Sequence, residues 1–169
     1  DPAKGIAAGP QLTCFRAFVD NDKYMRNPDT KMAKDNFYHS GLSQLKYHPE
    51  PIEVISNGIK IVTLVQGSKS AGFVHEARWT FSKDGSIDIA NDVKPFGTMP
   101  PVIPRLGLSM ILQRNLETMR YYGRGPWENY IDRCTGSFLG IWNSKVKDQY
   151  VDYVRPQDNG YKSDVRWAE

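Results

Sequence analysis

An antiparallel β-sandwich is the fold class this sequence predicts, on three observations. Short runs of alternating apolar residues recur along the chain. Glycine, proline and asparagine turns separate them. No strand–helix–strand alternation, heptad or internal repeat is present. At 169 residues the chain has the length of one domain, and 1–169 reads as a single domain with no composition shift that marks a linker.

The first fifty residues read as polar and irregular, broken by Pro2, Pro10, Pro28, Pro49 and Pro51. Asn27-Pro28-Asp29 is a helix start signal and predicts a short helix inside Lys31–Gln44. From Ile52 the texture changes. Ile52 and Val54, then Ile59, Ile61, Thr63 and Val65, alternate around Asn57-Gly58, a strong hairpin signal. Phe73–Phe81 alternates again, Lys83-Asp84-Gly85 turns the chain, and Ile87, Ile89 and Val93 continue on one face. Residues 52–94 therefore predict a four-stranded antiparallel meander. Pro95, Pro100, Pro101 and Pro104 then predict an extended connection. Leu106–Leu112, Leu116–Tyr122 and Phe138–Trp142 read as further strands, with Val151–Val154 and Val165–Trp167 as edge segments beside the Pro156–Gly160 turn.

The bulk numbers exclude several functions. A net charge of +3, with Lys and Arg mixed among Asp and Glu, leaves no basic stripe for nucleic acid. No apolar run approaches the roughly 20 residues of a membrane span. Cys14 and Cys134 lie far apart in sequence. They pair only if the fold joins them, and otherwise serve as small apolar residues, so cysteine usage does not decide the compartment.

The most informative stretch is Gly123-Arg124-Gly125-Pro126-Trp127-Glu128-Asn129-Tyr130-Ile131-Asp132-Arg133. Its glycines and proline rule out a regular element at its start, and its charged and amide groups suit a cross-linked loop of fixed shape. It resembles the G-R-G-P-x-E-N-Y-x-D-R motif in the C-terminal domain of family 2 glycoside hydrolases of the β-galactosidase type. Four further segments, in the family's order, are similar to that domain. Arg16–Asp22 resembles its opening R-A-P-x-D-N-D, with Phe18 in place of proline. Phe37–Leu42 resembles W-x-x-A-G-L, with Phe37 for tryptophan and Ser40 for alanine. Pro104–Met110 resembles P-R-x-G-x-x-M, and Tyr150–Trp167 carries Y-V-x-Y-x-R-P-Q-D-N-G and then D-V-R-W.

The resemblance implies a β-sandwich of the galactose mutarotase type. In the family more sequence follows D-V-R-W, so the resemblance implies the first part of that domain, with exposed sheet edges and apolar surface that call for either self-association or an unusually self-sufficient subdomain. It implies retaining glycoside hydrolysis, which needs two carboxylates roughly 5 Å apart. In the family these are glutamates of a TIM barrel, so no catalytic residue is assigned on this chain. The family's sugar-site tryptophan lies beyond the segment matched here. No cofactor is expected on this chain, although Mg²⁺ or Na⁺ accompanies the barrel of the whole enzyme. The implied partners are the remaining domains, a galactoside substrate and further subunits, with neither nucleic acid nor membrane.

Individual residues carry competing readings. Asp20-Asn21-Asp22 suits a structural turn, sugar hydroxyls or a cation, although no EF-hand pattern follows. The resemblance places Gly41 in a loop near the active-site mouth; a helix C-cap is the plainer reading. Trp127 is the best-placed sugar-stacking platform among four tryptophans, against packing in a core or interface. Arg124, Glu128, Asn129, Asp132 and Arg133 read as a structural network in which the carboxylates bind the arginines or backbone N–H groups. Removing one partner of a buried pair of this kind costs roughly 3–5 kcal/mol. His39, His48 and His75 show no metal-ligand spacing, and no metal site is expected. A mutarotase-like enzyme would need a His and a carboxylate together, but His75 and Glu76 are strand neighbours that point to opposite faces. The alternative to an enzyme part is a stand-alone carbohydrate-binding module.

Overall fold

The computed structural model describes residues 5–20, 22 and 33–169. Asn21 and the helix start signal at Asn27-Pro28-Asp29 lie outside the described residues. The described residues are nearly all β with antiparallel sheets and little helix, the class of the β-sandwich expected from the alternation. The chain forms two compact units, one of Asp1–Gln11, Ala17–Asp20 and Ser109–Glu169, the other of Leu12–Arg16 and Asn21–Leu108.

The second unit holds helix α1 (Ala33–Ser40) and strands β2 (Lys46–Pro49), β3 (Glu53–Ile55), β4 (Gly58–Gln66), β5 (Gly72–Phe81) and β6 (Ile87–Phe96). The expected meander is present as β3 to β6, with Thr63 opposite His75 and His75 opposite Val93. Alternation buries Phe73, His75 and Ala77 on one face of β5 and leaves Val74 and Arg78 exposed on the other. Phe37, Leu42, Val65 and Cys14 complete this core at 0% exposure. Phe15 stacks on Phe37 with ring centroids 5.9 Å apart.

Two expectations are corrected here. The first fifty residues are not irregular throughout, because β2 pairs with Thr63–Gln66 of β4, and Ile6–Thr13 is a strand, β1. Their sequences lack clean alternation because Tyr47 is half-buried while its neighbours are exposed, and β1 lies open along most of its length. The hairpin is also displaced by one residue. Ile55 pairs with Gly58, so Ser56 and Asn57 form the turn and Gly58 opens β4. Gly58 is required there by close approach, since a Cβ on it would overlap the Trp79 carbonyl oxygen.

A two-stranded sheet pairs β1 with β7 (Gly107–Leu112), and the first unit builds a three-stranded sheet in the order β10-β8-β9. These are β8 (Thr118–Gly125), β9 (Phe138–Lys145) and β10 (Trp167–Ala168). Val151–Val154 forms no strand; β10 alone supplies the expected edge, with Trp167 opposite Tyr122. Tyr121, 2% exposed, is the large buried side chain of β8.

Candidate functional site

The signature stretch begins inside β8. Arg124 pairs with Leu139 and Gly125 with Phe138, so the expectation of an irregular start is corrected. The glycines serve close packing, with no positive φ at either. A Cβ on Gly123 would sit 3.0 Å from Val165 Cα, and one on Gly125 would sit 2.7 Å from Trp142 Cδ1. Trp142 closes the contact by donating its indole N–H to the Gly123 carbonyl at 3.1 Å.

Beyond Pro126 the chain folds into a loop whose centre is Asn129, 0% exposed. Its amide donates to the carbonyls of Arg124 and Trp127, both at 3.0 Å. Its Oδ1 accepts the backbone N–H of Ser163 at 2.9 Å and also the Ser163 hydroxyl. Its own backbone N–H donates to the Tyr161 carbonyl at 2.9 Å. One side chain thereby satisfies backbone groups of two segments that would be unpaired inside the protein.

Glu128 is the second anchor. Its side chain is 9% exposed, and its Oε1 accepts from Arg133 at 2.9 Å and from the Tyr153 hydroxyl. Its Oε2 accepts the Gly160 N–H at 2.9 Å. Burial lowers the Lys162 ammonium pKa, and the Glu128 charge pulls it back up. Arg124 does not pair with Glu128. Its Nε donates to Asp164 at 2.6 Å and its Nη1 to the Ser137 carbonyl at 3.0 Å. The Asp164 carboxylate raises the Arg124 pKa. The Arg124 and Asp164 side chains are 29% and 44% exposed, so water screens this pair, and the cost expected of a buried ion pair is too large for it. Asp132 is exposed and has no side-chain partner among the described residues. Glu128 and Asp132 share no helical face, because the segment is loop and turn.

Tyr130 ties the apex down. Its hydroxyl donates to the Asp158 carbonyl at 3.1 Å, its ring stacks on Tyr161 at 5.3 Å, and the Arg133 guanidinium lies 5.4 Å over it. Trp127, by contrast, is 74% exposed. The partners missed in the sequence, Tyr153, Gly160, Ser163 and Asp164, fall within or beside the Tyr150–Trp167 motifs. The signal was there in two motifs, but spacing along the chain does not show that they fold onto one another.

The remaining candidates lie in the second unit or carry no geometry of their own. Arg16 grips Asp22 with two hydrogen bonds, 2.5 and 3.1 Å, and donates from Nε to the Pro104 carbonyl at 3.1 Å. Both side chains are mostly buried, so the Asp22 carboxylate is committed to holding the opening motif on the Pro104 motif. Asp20 is half-buried. Gly41 follows α1 with φ +82° and donates its N–H to Tyr38 at 3.1 Å, the arrangement of a helix C-cap. Its carbonyl accepts the Ser68 N–H at 3.0 Å, and a Cβ there would meet the Lys69 nitrogen at 2.7 Å. Cys14 and Cys134 are free thiols. No helix among the described residues is long and apolar enough to cross a membrane.

Over residues 3–169 the sequence matches the family described as beta galactosidase small chain. The chain belongs to that family. Among curated proteins it is 42% identical to a beta-galactosidase of Priestia megaterium across 96% of this chain and 15% of that protein. It is 30% identical to the beta-galactosidase of Actinobacillus pleuropneumoniae across 93% of this chain and 15% of that protein. For the beta-galactosidase of Arthrobacter sp. strain B7 the identity is 27%, over 96% of this chain and 17% of that protein. The chain therefore spans about one sixth of the length of the curated relatives it matches. In this family member the signature loop is held by the later Tyr150–Trp167 segment, through Gly160 and Ser163.

Proposed function

We propose that the chain is a non-catalytic portion of a retaining β-galactosidase, in which it shapes the active-site mouth and the packing of subunits. The match to the family across residues 3–169 carries this reading. The state of Glu128 supports it. Hydroxyl, guanidinium and backbone N–H groups bond both oxygens of this carboxylate, the setting of a structural anchor rather than of an acid or base facing a sugar. The hydrolytic carboxylates belong to another domain of the longer polypeptide. The segments Asp20–Asp22 and Phe37–Leu42 lie toward the sugar site in this reading, with their own geometry set by the Arg16 clamp and the Gly41 cap.

The test is Glu128→Gln in the full-length protein, assayed on a nitrophenyl β-galactoside below its melting temperature. The melting temperature falls, because the amide loses charge and one acceptor, while turnover per folded molecule stays within about twofold. A drop of about 100-fold or more at full folding, the size of a lost general acid or base, overturns the proposal.

A further inference from the structure

Ile131 and Asp132 are the two central residues of a turn closed by Tyr130 and Arg133. The Arg133 N–H donates to the Tyr130 carbonyl at 2.9 Å, and the Tyr130 N–H returns to Arg133 at 3.4 Å. Such positions normally hold Gly, Asn, Asp or Ser, which suit both the backbone and water. Here a β-branched apolar side chain stands at the tip, 85% exposed. Four residues earlier Trp127 is 74% exposed. Between them Glu128, Asn129 and Tyr130 all turn inward and are fixed to Gly160, Ser163 and Asp158. The loop spends its polar residues on being rigid and its two large apolar ones on water. Large exposed apolar groups on a pinned scaffold mark an interaction site, and pre-ordering lowers the entropy lost on docking. The Asp132 carboxylate beside Ile131 is exposed and has no partner among the described residues, which adds one negative charge to the projecting surface.

We infer that Trp127 and Ile131 are a docking knob that fits an apolar pocket, with a Lys or Arg at its rim to meet Asp132, on another part of the same longer polypeptide. This rests on the β-galactosidase reading. The length of the relatives argues for this occupant. More than four fifths of each lies outside the matched region. A pocket on the same polypeptide is met at high effective concentration, so a patch of two anchors suffices where a separate partner would need a larger one. Tryptophan at a fixed position is the residue type that dominates such contacts.

Hydroxyl-radical footprinting of the full-length protein, read by mass spectrometry, tests this directly. Oxidation at Trp127 and Ile131 is compared between the native state and urea. Docking makes both residues at least about fivefold slower in the native state, since an interface centre excludes water. This protection persists when the protein is diluted to monomers and without sugar. Native rates equal to those in urea overturn the inference. Protection lost on dilution assigns the knob to a second copy, and protection seen only with galactose assigns it to substrate; either result overturns it. Hydrolysis of a β-galactoside by the same sample reports separately on the enzymatic reading. A hydrolase with freely oxidised Trp127 sinks only the docking, and a protected Trp127 in a protein without hydrolysis sinks only the enzyme.

Discussion

The Asn129 side-chain oxygen accepts the backbone N–H of Ser163 at 2.9 Å, across 34 positions of sequence. That bond fastens the signature loop to the segment between the two later motifs. The Arg124–Asp164 and Glu128–Gly160 contacts repeat the connection on either side. Residues that read as separate motifs are thus two halves of one lock.

Replacing Asn129 therefore costs more than replacing a surface amide. Asn129→Ala strands two carbonyls and a backbone N–H, and unmet buried groups cost about 1–3 kcal/mol each, partly relieved by water. A net loss of about 2–4 kcal/mol lowers the melting temperature by roughly 5–12 °C for a chain of this size. Asn129→Asp is at least as damaging, because a carboxylate cannot donate to the carbonyls of Arg124 and Trp127. Thermal melts followed by circular dichroism read the effect, and a parent-like melt for both variants refutes the assignment of Asn129 as the hub.

Gly58 offers a sharper steric test. Its φ is ordinary, so alanine carries no backbone strain there, yet the new Cβ would overlap the Trp79 carbonyl of the paired strand. Backbone cannot rotate away as a side chain can, and overpacking of this kind costs about 1–3 kcal/mol or more. Gly107→Ala, in β7 with nothing within 4 Å of the added Cβ, is the control and melts as the parent does. Urea midpoints that are equal for the two variants would show that β4 and β5 are not held at this spacing.

Cys14 gives the fold a dependence on alkaline pH. Burial raises the thiol from an ordinary value of 9.0 to about 11, only partly offset by hydrogen bonding to backbone. The folded protein then holds a proton that the unfolded chain releases between these values. The associated stability is fully present below pH 9 and declines as pH rises toward 11. Cys14→Ala removes that part of the decline, whatever its effect on absolute stability. Urea midpoints at pH 8 and pH 10.5 measure it; an identical fall in parent and variant would place the alkaline loss elsewhere.

Alternation of apolar residues was enough to determine the β3–β6 meander, because a period of two can bury only one face of an extended chain. The glycine-rich signature and its companions were enough to place the chain in its family. Packing decided the rest. Gly123 and Gly125 look like turn residues but lie in a strand, since their missing side chains make room for Val165 and Trp142. Tyr47 marks β2 with one half-buried side chain among exposed neighbours, too short a pattern to read before β4 is placed beside it. Arg124 and Glu128, four positions apart in one motif and opposite in charge, took separate partners because each followed the geometry of the later segment. A sequence sets which residues can bond; which of them meet depends on chain reversals that bring together positions 30 or 40 residues apart, and that information exists only once the chain is folded.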